Sequence, residues 1–154
     1  WDCWVFAQLV VRDYFNLKEL YLGTNQISDE GIAALADVIG LQGAAGGLGG
    51  LEKLHLMANR ISSAGVSSLM TAAMAGALED LTYLDMSRNA IGDEGGAALA
   101  TAVVAGKLTK LQQLKLGYNK VGDSLFTIIA AAEKSAATAG MTTGGHTMRY
   151  FWPE

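Results

Sequence analysis

Four stretches of this sequence align residue for residue: LKELYLGTNQI at 17–27, LEKLHLMANRI at 51–61, LTYLDMSRNAI at 81–91 and LQQLKLGYNKV at 111–121. They share the pattern L-x-x-L-x-L-x-x-N-x-I/V, with Met86 in place of one leucine. The stretches begin at residues 17, 51, 81 and 111, so the spacing is 34 residues once and 30 residues twice. A nearly fixed period of this kind is typical of a solenoid in which each unit stacks on the next.

Each unit is predicted to begin with a short strand followed by a turn. Leucines such as Leu20 and Leu22 alternate with other residues, which is the period of a strand that buries one face. An asparagine follows where the chain leaves the strand, and its amide can bond backbone groups that have no ladder partner. We therefore expect a stacked column of amides formed by Asn25, Asn59, Asn89 and Asn119.

Each unit continues with a segment of helical character. These segments are GIAALADVIG, GVSSLMTAAM, GGAALATAVV and SLFTIIAAAE, and their predicted caps are Ser28, Ser62, Asp93 and Asp123. Asp29, Glu30 and Glu94 fall in the first turn, where a negative charge interacts favourably with the positive end of the helix dipole. These acids therefore have a structural explanation. Met70 and Met74 lie four residues apart on one predicted helix, and we expect both in the core.

The units resemble leucine-rich repeats. The helix start N-x-I-x-D-E-G and the unit length are similar to the ribonuclease-inhibitor-like subclass. A strand and a helix in a unit of about 30 residues cannot bury their apolar faces alone, so the units must stack. The resemblance implies an α/β solenoid, a horseshoe with a parallel sheet on the concave side and helices on the convex side.

The repeats divide the chain into three segments. Residues 17–140 form the array, and residues 1–16 have apolar residues at roughly helical spacing, which predicts a flanking or capping helix. The glycine-rich stretch 41–50 is interpreted as an insertion in the longer first unit. It is not expected to bind a nucleotide, because no Lys-Ser/Thr follows and it precedes a strand. Since the first residue is Trp1, we expect a processed product or a portion of a longer protein.

The last segment, 141–154, leaves two interpretations open. A 34-residue step, equal to the first unit, takes Leu114 to Met148 and Leu116 to Tyr150, which predicts a degenerate capping strand. The alternative is an exposed aromatic anchor for a partner, formed by Tyr150, Phe151 and Trp152. We favour the cap.

Composition excludes several classes of function. Eleven Lys+Arg against fifteen Asp+Glu give a net charge of −4, so the basic excess needed to bind nucleic acid is missing. No apolar run reaches the roughly 20 residues of a membrane span. Cys3 is the single cysteine, which excludes an internal disulfide and a cysteine-based zinc cluster made by this chain alone. His55 and His146 are far apart in sequence, and we expect neither a metal nor a cofactor.

The outward positions of the predicted strands form the candidate partner-binding surface. Parallel strands lie about 4.8 Å apart, so equivalent side chains of neighbouring units form columns whose members touch. The residues expected to contact a partner are Glu19, Tyr21, Lys53, His55, Tyr83, Asp85, Arg88, Gln113, Lys115 and Tyr118. A surface of mixed charge that is aromatic in places suits the binding of a protein or peptide.

One pair on this surface has a catalytic interpretation. His55 is predicted to lie beside Asp85, and an Asp-oriented histidine is half of a hydrolytic triad. Ser87 falls in the next column and Cys3 is distant, so no nucleophile completes it, and we expect a solvated ion pair and no enzyme.

The function expected is a non-catalytic protein–protein interaction module or scaffold, within a larger multiprotein assembly. A regulator similar to a GTPase-activating protein, or the sensing array of an innate immune receptor, stays open as an alternative.

Overall fold

The computed structural model describes residues 17–40, 48, 50–122 and 149–150. Strands and helices alternate along this part of the chain. The strands are β1 (Glu19–Tyr21), β2 (Lys53–His55), β3 (Tyr83–Asp85), β4 (Gln113–Lys115) and β5 (Arg149–Tyr150). The helices are α1 (Asp29–Gly40), α2 (Ser63–Met74) and α3 (Asp93–Val104).

The strands form one parallel sheet in which spatial order follows chain order, β1-β2-β3-β4-β5. Equivalent residues of successive units are paired, so Leu20 lies opposite Leu54 and Leu54 opposite Leu84. Helix α1 packs on α2 and α2 packs on α3. The predicted α/β solenoid is therefore confirmed.

The core lies between the sheet and the helices. The leucine at the centre of each of β1 to β4 is buried, and so are Leu56, Met86 and Leu116 in the next pattern position of three units. Met70 is buried as expected, but the prediction for Met74 is wrong, because its side chain is 42% exposed. Met74 is the last residue of α2, and the equivalent Val104 of α3 is 57% exposed, so the helix ends extend past the core.

The predicted asparagine column is confirmed. Asn59 Oδ1 accepts hydrogen bonds from the backbone N–H groups of Asn25 and Ile27, at 3.1 and 2.9 Å. Its Nδ2 donates to the carbonyls of Leu22 and Leu56, at 2.9 and 3.0 Å. The amides of the two following asparagines repeat this bridge between neighbouring units. Each of these three amides thus satisfies backbone groups of two units where the strands end, and Asn25 Nδ2 donates to the carbonyl of Gly23 in its own unit.

The caps differ between helices. Ser62 caps α2 as predicted, with its Oγ accepting the N–H of Ala64 at 3.2 Å. The predicted cap Asp93 is wrong, because Gly92 holds the cap position and Asp93 is the first residue of α3. Asp93 Oδ1 instead accepts the N–H of Gly122 at 2.7 Å. The aspartate therefore connects two units, which capping its own helix would not achieve.

Asp29 makes the same kind of connection in the first unit. Its Oδ1 accepts the N–H groups of Ser62 and Gly65 at 2.7 and 3.0 Å, and its Oδ2 accepts the Ser62 hydroxyl. A Cβ added at Gly65 would lie 2.6 Å from Asp29 Oδ1 and 2.9 Å from Ile61 Cγ2. Glycine is therefore required here for the close approach of α1 and α2.

The C-terminal strand pairs in a different register from the one predicted. The sheet places Leu114 opposite Tyr150, whereas the 34-residue step predicts Leu116 opposite Tyr150. The connection is thus two residues longer than predicted, and a shift of two keeps the alternation of faces. The flanking helix of residues 1–16, the predicted cap Asp123 with its helix, and Phe151 and Trp152 lie outside the described residues, as does most of 41–50. The segment boundaries and the choice between cap and anchor stay predictions.

Candidate partner-binding surface

Each three-residue strand buries its middle leucine and turns the two flanking side chains to the opposite side. The register aligns these flanking residues in two columns, Glu19, Lys53, Tyr83, Gln113 and Tyr21, His55, Asp85, Lys115. The parallel ladder continues past the strands, with N–H groups of Leu22, Leu56 and Met86 donating to the next unit at 2.8, 2.7 and 2.9 Å. The predicted columns are therefore brought together on a regular backbone.

Three aromatic side chains pack across β1, β2 and β3, and we call them the aromatic row: Tyr21, His55 and Tyr83. The centroids of the Tyr21 and His55 rings are 4.2 Å apart, with planes 16° from parallel. On its other side the His55 ring lies 4.6 Å from the ring of Tyr83, tilted by 31°. Tyr21 at the end of the row is 63% exposed. The row is an ordered apolar surface that water contacts.

An ion pair neutralises the charge next to the aromatic row. Lys53 Nζ lies 2.6 Å from Glu19 Oε1, and the Tyr21 hydroxyl donates to Glu19 Oε2 at 2.6 Å. The hydrogen bond from Lys53, followed by that from Tyr21, lowers the pKa of Glu19. The same bonds raise the pKa values of Lys53 and Tyr21. Glu19 and Lys53 are thus both charged at neutral pH and hold each other in place.

Asp85 does not present its charge to solvent. It is only 5% exposed, and its Oδ1 accepts the N–H and the hydroxyl of Ser87 at 3.0 and 2.6 Å. Its Oδ2 accepts the Tyr83 hydroxyl at 3.2 Å. Asp85 therefore orients Tyr83 and Ser87, and the expected solvated pair with His55 is not formed.

His55 carries a buried nitrogen. Its Nε2 has no hydrogen-bond partner. Burial lowers the pKa of His55, and this effect outweighs the opposing attraction of Asp85. The imidazole is accordingly neutral at physiological pH, which suits its place between two tyrosine rings.

Two cations lie over tyrosine rings at the β3–β4 end of the face. Arg88 Cζ is 4.6 Å from the centroid of Tyr118, and Lys115 Nζ is 5.2 Å from that of Tyr83. Arg88 and Tyr118 occupy the strand-exit position, where the backbone is left-handed in every unit, with φ between 54° and 62° at Thr24, Ala58, Arg88 and Tyr118. We call Arg88 and Lys115 the basic pair.

Two outward-facing residues of the face are not among the residues expected to contact a partner. Ser87 fixes Asp85, as described above, and Met57 is partly exposed beside Gly23, where an added Cβ would lie 2.9 Å from Met57 Cγ. Both stand in the third outward position of their units, so the repeat alignment contained the signal that could have found them.

Comparison with known families identifies the repeats. The sequence profile described as Leucine Rich repeat matches residues 15–36, 51–70, 78–100 and 107–124. The chain belongs to the leucine-rich repeat family. A search of curated proteins found no match. Leucine-rich repeats are typically a non-enzymatic interaction fold, and this array is accordingly a protein-interaction module in general terms.

The described part of this leucine-rich repeat array contains neither a cluster of metal ligands nor a membrane-spanning helix. Within residues 17–40, 48 and 50–122, no group of three His, Cys, Asp or Glu side chains could hold a metal ion. No helix in the described part is long and apolar enough to cross a membrane. What the concave face offers a ligand is aromatic rings, a neutralised ion pair, the Gln113 amide and the basic pair.

Proposed function

We propose that this array is a non-catalytic scaffold that binds a protein partner across its concave face, as a subunit of a larger assembly. The exposed tyrosine rings of the face carry the proposal. Tyr21 and Tyr118 expose 63% and 59% of their surface at opposite ends of the face. Tyrosine and arginine are enriched among the residues that contribute most to protein interfaces. We also propose that the units are of the ribonuclease-inhibitor-like subclass.

The face is organised before any partner binds. Tyr21 is held by Glu19 and by the His55 ring, and Tyr83 is held by Asp85 and His55. Ordering a side chain at an interface costs about 0.5–1.5 kcal/mol, and side chains that are already ordered avoid much of this cost. An ordered face of this kind therefore binds a partner at a lower entropic cost than a disordered surface would.

The candidate contact residues take different roles in this proposal. Tyr21, His55, Tyr83 and Tyr118 supply apolar area, Gln113 supplies an amide, and the basic pair supplies charge. Glu19 and Lys53 supply the exposed atoms of their ion pair. Asp85 is a positioning residue, because its carboxylate is occupied by Tyr83 and Ser87.

The test is capture of partners by the full chain from its native source. The variant Tyr21→Ala/Tyr118→Ala removes two exposed rings and leaves the core intact. The matched control Thr71→Ala/Thr101→Ala changes exposed positions on α2 and α3. We expect the tyrosine variant to capture at least about tenfold less of the stoichiometric partners than the wild type does. The control should capture as much as the wild type. Equal capture by both variants would place binding elsewhere.

The same experiment addresses the alternatives. A guanine-nucleotide-binding protein as the captured partner would favour the GTPase-activating-protein-like role. Capture of nothing but a longer form of this polypeptide would favour a receptor array.

A further inference from the structure

Charge is distributed unevenly over the concave face. On β1 and β2 the Glu19–Lys53 pair is neutral as a unit. On β3, β4 and their exits, residues 83–88 and 113–118 contain the basic pair and a single acid, Asp85. Asp85 is buried, and its oxygens accept hydrogen bonds from Ser87 and Tyr83. The exposed charge of residues 83–88 and 113–118 is therefore positive, on a chain whose net charge is −4.

The two cations differ in how their charge is offset. The ion pairs among the described residues join Lys18 to Glu52, Lys53 to Glu19 and Lys110 to Asp80, and none of them includes Arg88. Lys115 lies opposite Asp85 in the sheet register, so Asp85 offsets part of its charge. The hydrogen bond with Tyr83 raises the pKa of Lys115, which keeps the ammonium group charged.

The tyrosine rings hold the two cations in place. Arg88 stacks on Tyr118 at 4.6 Å, and a stacked guanidinium retains N–H groups at its edge for a carboxylate. Lys115 lies over Tyr83 at 5.2 Å. A cation held in this way loses less conformational freedom when an anion binds.

The fold does not require these residue types. The left-handed backbone of the strand exit favours glycine or asparagine, and the equivalent residues are Thr24 and Ala58. Arg88 and Tyr118 thus stand at positions where any side chain with a Cβ is strained. Strained backbone positions are often found where the side chain has a function.

We infer that the β3–β4 end of the concave face binds an acidic segment of the partner, with its carboxylates at Arg88 and Lys115. The inference rests on the proposed function and adds the chemistry of the partner. Neutral or aromatic residues of the same partner then lie over the aromatic row. Contacts of this kind steer association and set register as well as affinity.

The first test uses defined peptides and the full chain. A fluorescent peptide of alternating glutamate and tyrosine is compared with its glutamine and lysine counterparts by anisotropy. We expect the glutamate peptide to bind about tenfold more tightly than the glutamine peptide, and the lysine peptide to bind least. Arg88→Gln and Lys115→Gln should each weaken the glutamate peptide about fivefold and reduce its salt dependence.

The matched control is Lys107→Gln, which makes the same change in net charge outside the proposed site. It should leave the affinity for the glutamate peptide within about twofold. An equal loss in Lys107→Gln would show that bulk charge explains the binding and would overturn the inference. Equal affinity for the glutamate and glutamine peptides, or no binding of either, would overturn it as well.

Failure of the inference and failure of the proposed function give different results with the captured partner. If Tyr21→Ala/Tyr118→Ala loses the partner and Arg88→Gln/Lys115→Gln keeps it, the acidic segment is wrong and the concave scaffold stands. If both variants keep the partner, the proposed function fails too.

Discussion

The residue before each asparagine has the left-handed backbone in all four units, although none of the four is a glycine. A side chain with a Cβ pays about 1–2 kcal/mol in this conformation, and Ala58 is the cleanest probe because only one methyl group is removed. We expect Ala58→Gly to raise the free energy of unfolding by up to about 1 kcal/mol, measured by urea denaturation. The control Ala97→Gly, at an exposed position of α3, should lower it by about 1 kcal/mol. Destabilisation of the same size in both would contradict the assigned strain.

His55 gives a second prediction at this scale. Because burial lowers the pKa of His55 in the folded state, the unfolded chain binds the proton more readily. The free energy of unfolding is therefore not reduced by His55 above the unfolded histidine pKa of about 6.5. It falls as the pH drops below that value, because protonation of His55 favours the unfolded chain. Glu19, whose pKa is lowered, loses its contribution only at more acidic pH.

We expect His55→Phe to keep a ring between the two tyrosines and to remove this dependence. Its unfolding free energy at neutral pH should equal or exceed that of the wild type, since the unpartnered Nε2 is gone. Urea denaturation between about pH 7.5 and pH 5.5 should show a decline for the wild type and a flatter profile for the variant. A decline of the same size in both proteins would assign the effect to other groups.

At the scale of the elements, the close approach of α1 and α2 depends on a missing side chain. A Cβ at Gly65 would overlap Asp29 Oδ1 and Ile61 Cγ2, at 2.6 and 2.9 Å. We expect Gly65→Ala to lower the free energy of unfolding by about 1–3 kcal/mol, despite the better helix propensity of alanine. Gly40→Ala in α1 is the control, because nothing lies within 4 Å of its added Cβ. If chemical denaturation gave both variants wild-type stability, the packing described for α1 and α2 would be wrong.

The sequence predicted the elements better than their ends. Strand positions, columns and asparagines follow from a repeat that fixes them in every unit. The role of Asp93 depends on the neighbouring unit, because its carboxylate accepts a hydrogen bond from the N–H of Gly122. The exposure of Met74 depends on where the packing between helices ends, because this residue lies past the packed part of α2. A pattern within one unit contains no information on such contacts.

The candidate site shows the same division. The register brings the predicted contact residues onto one face, because parallel pairing of equivalent residues decides it. The sequence could not predict that Asp85 is buried, because this follows from the Ser87 and Tyr83 hydroxyl groups turning towards its carboxylate. It also could not predict that His55 stacks between rings from two different columns.

On the scale of the whole molecule, the array has two dissimilar sides. The core between the helices and the sheet is built from apolar side chains of both, and the other side of the sheet presents rings and charges on regular strands. Stacking of units gives each unit the apolar contacts that it lacks alone, so the outward strand positions are left free to vary. We therefore assign stability to the packed side of the sheet and recognition to its outward side.

The most direct test of this assignment is site-specific photo-crosslinking of the full chain in an extract of its native source. A photoreactive residue is placed at Tyr21 or Tyr118 on the concave face, or at Thr71 or Thr101 on the helices, and the products are identified by mass spectrometry. We expect both concave positions to crosslink the same partner and the helix positions not to crosslink it. Crosslinks to a common partner from the helix positions, with none from Tyr21 or Tyr118, would contradict it.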